Sequence, residues 1–235
     1  MTLKKVVVLP LVLGKDTDSL PCLAMGMLAS YLRIYDSGTL NDSYDIERLV
    51  PGGCENMPLK AIYKKVVQSP DPVCLFSSYV WNEKINLKVA KHIKQISPNS
   101  LIVFGGPHVP KFDGDSEKFL QDNPFIDVAV LGEGEVALAE ILAAFAGSPR
   151  GKRDMTTLDG VTGIVFSSND AQSSRTAERQ RIRDICDLPS PYLTGEFEPW
   201  FQGFHQAVLE TNRGCPYGCT YCDWGSATLA KVTKF

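Results

Sequence analysis

From the N-terminus to about residue 146, short β-branched runs alternate with stretches of helical period. Lys5 to Leu9, Tyr44 to Val50, Val73 to Ser77, Leu101 to Phe104 and Asp127 to Leu131 read as strands. Between them apolar residues recur at i, i+3, i+4 and i+7. Leu20, Leu23, Ala24, Met27, Leu28 and Tyr31 make one helical stripe, and Leu59, Ile62, Tyr63 and Val66 the next. Ile85, Val89, Ile93 and Ile96 make a third, and Leu138, Ile141, Leu142 and Phe145 the last. Pro21 and Pro58 suit first-turn positions, where a missing N–H costs nothing.

Five strands separated by helices predict right-handed crossovers and a parallel sheet covered on both faces: an α/β, doubly wound, Rossmann- or flavodoxin-like domain. Ligands of such sheets sit beyond the carboxyl ends of the strands. At that end the third strand runs into Ser77-Ser78-Tyr79-Val80-Trp81-Asn82, the fourth into Gly105-Gly106-Pro107-His108, and the fifth into Gly132-Glu133-Gly134-Glu135. Each glycine motif alone is weak, because glycines after strands also simply open helices.

After Gly147 the pattern changes. Gly151 to Thr157 reads as a linker, Val161 to Phe166 as a strand, and Ser167 to Asp170 as a turn leading back towards Arg181-Ile182. Leu188-Pro189-Ser190-Pro191 favours an extended connector. A short strand from His205 to Glu210 then leads into a cysteine-bearing loop, with a helix expected from Ser226. The division expected is 1–147 for the first domain, 148–204 for a linker with a β-hairpin, and 205–235 for the opening of another unit.

Composition sets limits. With 44% hydrophobic and 22% charged residues, the 235-residue chain can bury a sizeable core. A net charge of -3 gives no global attraction to nucleic acid or anionic membrane, so a small-molecule or peptide substrate is expected. The longest apolar runs fall far short of the roughly 20 residues of a membrane helix, and Pro10 interrupts the one run that resembles a leader. Seven cysteines, three of them clustered, argue against a disulfide framework and for a reducing cytoplasm.

That cluster is Cys215, Cys219 and Cys222, a C-x3-C-x2-C array on a loop loosened by Gly214 and Gly218. Three thiolates so placed can turn inward around one iron-sulfur cluster and leave one iron without a protein ligand. Zinc would require a fourth Cys or His at tetrahedral spacing, and His205 lies ten residues before Cys215. Cys22, Cys54, Cys74 and Cys186 lack mutual spacing, and Cys74 reads as a small packed hydrophobe. His92 falls on a helical stripe as a core-edge histidine, and His108 reads as a loop histidine bonded to backbone or to a cofactor side chain rather than a metal ligand.

The cysteine spacing, with Tyr221 before the last thiol, resembles the signature of the radical S-adenosylmethionine (SAM) superfamily. By that resemblance the three thiolates hold a 4Fe-4S cluster whose open iron binds SAM, and one electron from an external donor such as flavodoxin or ferredoxin yields a 5′-deoxyadenosyl radical. The loops after the third, fourth and fifth strands, in this order before such a motif, resemble the cobalamin-binding domain of B12-dependent radical SAM enzymes. The resemblance assigns Ser77, Ser78, Tyr79, Val80 and Trp81, then Gly105, Gly106, Pro107 and His108, then Gly132, Glu133, Gly134 and Glu135 to the cofactor, and Tyr221 to the cluster side. One departure is that Leu11 to Asp18 contains no Asp-x-His-x-x-Gly, which implies cobalamin bound without histidine ligation.

The activity so implied is methyl transfer from methylcobalamin to an unactivated carbon, or to phosphorus, through a substrate radical. Ring-forming relatives (cyclases) and a non-catalytic cobalamin-binding fragment are the alternatives. Methylthiotransferases also fit the cysteine loop, but would need Cys22, Cys54 and Cys74 to form a second cluster. A radical SAM barrel takes on the order of 200 residues, whereas only the first βα unit of such a partial TIM barrel follows residue 205, so a fragment of a longer protein is expected.

Overall fold

The structure, a computed structural model, describes residues 4–9, 22–48, 59–69, 71–149, 151–168, 172–198, 207–214, 217, 221 and 233–234. Strands β1 (Lys4–Leu9), β2 (Tyr44–Arg48), β3 (Val73–Ser77), β4 (Leu101–Gly105) and β5 (Val128–Val130) alternate with helices. The helices are α1 (Leu23–Ile34), α2 (Leu59–Val67), α3 (Glu83–Ile96), α4 (Asp115–Asp122) and α5 (Gly134–Ala146). The strand order β2-β1-β3-β4-β5 is fully parallel. That is the flavodoxin-like order, with its topological switch between β1 and β3.

Every described residue of β3 and β5 is buried, as required of a parallel sheet covered by helices on both faces. Val73, Leu75, Leu101, Val103, Val128 and Val130 face the layer that contains Leu32 of α1 and Leu138 and Leu142 of α5. Cys74, Phe76, Ile102, Phe104 and Ala129 face Ile62 of α2, Val89 and Ile93 of α3, and Phe119 of α4. Phe76 and Phe104 stack with ring centroids 4.8 Å apart. Such a pair adds about 1 kcal/mol beyond its area burial.

Two strands extend this sheet. β6 (Ile164–Ser167) pairs antiparallel with β5, and β7 (Ser173–Arg175) pairs antiparallel with β6. The hairpin expected in the linker is therefore the sheet's far edge, and its return strand lies at Ser173–Arg175 rather than at Arg181-Ile182. Arg153 ties the intervening segment across the opposite end of the sheet. It donates to the carbonyl of Asn99 at 2.7 Å and pairs with Asp71, whose side chain is 1% exposed, at 2.5 Å.

Besides β7, helix α4 and the turns at Tyr35–Asp42 lacked a sequence signal. Helix α4 carries only Phe119 and Leu120 as adjacent buried apolar residues, too few to show a period. Tyr35–Asp42 forms 3-10 turns that include Asp36 and Ser37 at positive φ. The described part of the segment expected as a strand, residues 207–210, carries no ladder. Instead β8 (Asn212–Arg213) pairs antiparallel with β9 (Thr233–Lys234). Pro21, Pro58 and the start of the helix expected from Ser226 lie outside the described residues. No helix among the described residues is long and apolar enough to cross a membrane.

Candidate cofactor site

The carboxyl ends of β3, β4 and β5 lie side by side, so the three loops singled out by sequence meet at one edge of the sheet. The loop after β3 is shaped by two buried asparagines, Asn82 just before α3 and Asn86 in its first turn. Asn82 Nδ2 and Asn86 Nδ2 each donate to the Ser77 carbonyl at 3.0 Å, and Asn82 Oδ1 accepts from the Tyr79 N–H at 2.8 Å. Asn86 Nδ2 also reaches Asn82 Oδ1 at 3.2 Å, so the ladder is continuous. Asn86 was not singled out from sequence. A polar residue four positions after Asn82 beside the apolar Ile85 and Val89 was the available signal.

This scaffold turns the next residues outward. Tyr79 and Trp81 stack nearly parallel, 12° between planes and 4.7 Å between centroids. Val80 is 71% and Trp81 56% exposed, an unusual fraction for residues beside a buried loop. Burial holds the Tyr79 phenol above its ordinary pKa, against the opposing hydrogen bond with Ser77, so it stays neutral. Ser78 is buried and its Oγ has no hydrogen-bond partner among the described residues. A buried hydroxyl of that kind calls for an outside partner.

The loop after β4 packs on the same serine. Ser78 N–H donates to the Gly105 carbonyl at 2.7 Å, and the Ser78 carbonyl accepts from the His108 N–H at 3.1 Å. Gly106 has φ +98, and a Cβ there would lie 2.8 Å and 2.9 Å from the Ser78 carbonyl oxygen and nitrogen. Only glycine fits. His108 Nε2 lies 3.4 Å from the Glu83 carboxylate. Pro107 between them is exposed.

Gly132, after β5, also has positive φ (+87), yet a Cβ there would meet nothing within 4 Å among the described residues. It presents bare backbone to open space. Gly134 opens α5 against Leu28, while the carboxylates of Glu133 and Glu135 engage residues far along the chain, Ile182 and Arg213. Arg213 was missed from sequence, where it reads as an ordinary charged residue before the cysteines.

The loop of Leu11 to Asp18 and the three cysteines Cys215, Cys219 and Cys222 lie outside the described residues. Gly214 takes φ +94 immediately before the first of them, and Tyr221 is exposed. Among the described residues no group of three His, Cys, Asp or Glu could hold a metal ion. Cys74 is fully buried in β3, which pushes its thiol pKa up to about 12, and it faces the α2 and α3 layer. Cys22 packs on the opposite face of the sheet, so these two cannot share a second cluster.

Sheets of this order bind their ligands at the carboxyl edge, and here that edge combines the stacked pair of half-buried Tyr79 and exposed Trp81, glycines at positive φ and a buried hydroxyl without a partner among the described residues. The B12 binding domain family matches residues 17–142, and the chain belongs to that family. It is 40% identical over 185 residues to the cobalamin-dependent radical SAM methyltransferase TokK of Streptomyces tokunonensis, covering 76% of this chain and 25% of that protein. It is 42% identical over 176 residues to the 2-(S-pantetheinyl)-carbapenam-3-carboxylate methyltransferase of Streptantibioticus cattleyicolor, covering 72% and 24%. The chain thus spans about a quarter of the length of these relatives. The cobalamin-dependent SAM radical enzyme OxsB, solved with aqua-cobalamin, superposes with a TM-score of 0.67 at 22% identity over 99% of this chain and 30% of that one, a likeness of fold.

Proposed function

We propose that this chain carries the cobalamin-binding domain and the cluster loop of a cobalamin-dependent radical SAM methyltransferase. The observation that carries the reading is the meeting of the loops after β3, β4 and β5 at one sheet edge, in a chain of the B12 binding domain family that continues into C-x3-C-x2-C. In this reading residues 1–147 bind cobalamin, 148–204 connect, and 205–235 begin the radical SAM unit. Both relatives named above are methyltransferases, which favours methyl transfer over ring formation.

The residues present fit the cofactor. The Tyr79–Trp81 stack offers a flat apolar face to a macrocycle, with Val80 beside it. Ser78 Oγ, without a partner among the described residues, can give a hydrogen bond, and the Ser77 carbonyl is held by Asn82 and Asn86. In this reading Gly105, Gly106, Pro107 and His108 after β4, with Gly132 and Gly134 after β5, form the rest of the edge on which the ligand lies. Cys215, Cys219 and Cys222 would hold a 4Fe-4S cluster, with Tyr221 beside it. Bound there, cobalamin supplies methyl-group chemistry, and the cluster with SAM supplies one-electron chemistry.

The partners in this reading are a small-molecule or peptide substrate and a one-electron donor protein, in a reducing cytoplasm. The test is anaerobic reconstitution with iron and sulfide, then incubation with hydroxocobalamin, SAM and reductant. Uptake of one corrinoid and one cluster per chain supports the reading. A chain that takes up the corrinoid but, with all three cysteines intact, never a cluster would support a non-catalytic cobalamin carrier instead.

A further inference from the structure

The turn after β5 is assigned to the cofactor by sequence, but its two carboxylates are committed elsewhere. Glu133 Oε2 accepts from the Ile182 N–H at 2.7 Å, and its Oε1 lies 3.5 Å from Arg181 and 3.9 Å from Arg213. Glu135 is 5% exposed and receives two bonds from Arg213, at 2.6 Å and 3.2 Å. Arg213 also donates twice to Glu210, both at 3.0 Å. It stands two residues before Cys215.

The same segment is held from a second side. The Tyr192 hydroxyl donates to the Val208 carbonyl at 3.0 Å and accepts from the Val208 N–H at 2.9 Å. Tyr192 belongs to a connector fixed on α1. Thr194 and Ser30 share a hydrogen bond of 2.8 Å, Glu196 pairs with Arg33, and Phe197 packs so closely on Gly26 that a Cβ there would overlap its ring. Residues 207–213, which lead into the cysteine loop, are thus tied to α1 through Tyr192 and to α5 through Arg213.

We propose that Glu135 and Arg213 are positioning residues that fix the cluster loop relative to the cobalamin edge, with Tyr192 as the second anchor. The inference rests on the cysteine loop holding the cluster, as proposed above. Geometry favours a positioning role over a stabilising one. A buried ion pair repays its desolvation only when its hydrogen bonds are good, so it is a poor source of net stability. A bidentate guanidinium–carboxylate pair instead fixes both distance and angle. Glu135, in the first turn of α5, stands three residues after Gly132 at the carboxyl edge of the sheet, so one short stretch joins that edge to the segment before the cysteines.

The test uses the full chain, anaerobically reconstituted, as wild type and as E135Q, R213Q and R213K. Two readouts are taken: deuterium exchange of residues 207–214, and the magnetic coupling between cob(II)alamin and the reduced cluster by pulsed electron paramagnetic resonance. E135Q and R213Q should speed exchange of 207–214 at least tenfold and broaden the distance distribution, with exchange of β3 and β4 unchanged. R213K, which keeps the charge without the fork, should fall between. A wild type that takes up no cluster overturns the functional reading on which the inference rests. A wild type that binds both cofactors, with variants matching it in exchange and in distance, overturns the inference alone.

Discussion

Replacing Gly106 by Ala should damage the binding edge more than any other single-methyl change in it. The new Cβ would lie 2.8 Å from the Ser78 carbonyl oxygen and 2.9 Å from its nitrogen, both backbone atoms that cannot swing aside. Holding a non-glycine residue in left-handed backbone costs roughly 1–2 kcal/mol. Moving Ser78 away loosens its bond to the Gly105 carbonyl and the bond it receives from His108, each worth about 1 kcal/mol net. The expected loss is about 3–4 kcal/mol, a large part of the 5–15 kcal/mol that holds a typical domain together. Gly132→Ala is the built-in control. Its φ is similarly positive but its Cβ would enter open space, so only the conformational cost of about 1–2 kcal/mol applies. Urea unfolding followed by circular dichroism measures both. Equal destabilisation by the two substitutions would refute the close-approach argument.

Trp81→Ala, at a largely exposed residue, should change stability by less than about 1 kcal/mol while weakening hydroxocobalamin binding at least tenfold in an absorbance titration. Unchanged affinity would remove the aromatic pair from the site. Asn82→Leu deletes the bonds to Ser77 and Tyr79 inside a buried loop and should cost about 2–3 kcal/mol in urea unfolding; a cost below about 0.5 kcal/mol would mean the asparagine ladder does not shape the loop. Cys74 should resist iodoacetamide at pH 8 in native protein while exposed Cys186 reacts, as read by peptide mass spectrometry. Because burial raises the folded thiol pKa of Cys74 from 9 to about 12, its contribution to stability is complete below pH 9 and is lost as pH climbs towards 12. Native labelling of Cys74 at the rate of Cys186 would contradict the buried position.

The sheet was legible because β3 and β4 are buried on both faces and therefore read as continuous apolar runs, Val73 to Phe76 and Leu101 to Phe104. The flanking helices α2 and α3 were legible from their stripes. Edge strand β7 was not, because Ser-Ser-Arg has neither alternation nor β-branched residues, and its pairing comes from the turn that brings it back. At the site, the glycine turns could be read locally, since positive φ at Gly106 and Gly132 leaves a mark in composition. The bond between Glu135 and Arg213 could not, because it joins residues 78 apart that only the folded chain brings together. The same holds for Tyr192 and Val208, where an apolar-looking segment is fastened through its backbone.

Cobalamin on the carboxyl edge, as proposed, would cover the loops after β3, β4 and β5. Deuterium exchange of the chain with and without saturating hydroxocobalamin reads that coverage residue by residue. Protection is expected to be confined to residues 77–81, 105–108 and 132–135 and the turns that support them, with the Arg153–Asp71 end of the sheet unchanged. Protection at that opposite end, or no protection at any of the three loops despite bound corrinoid, would contradict that placement.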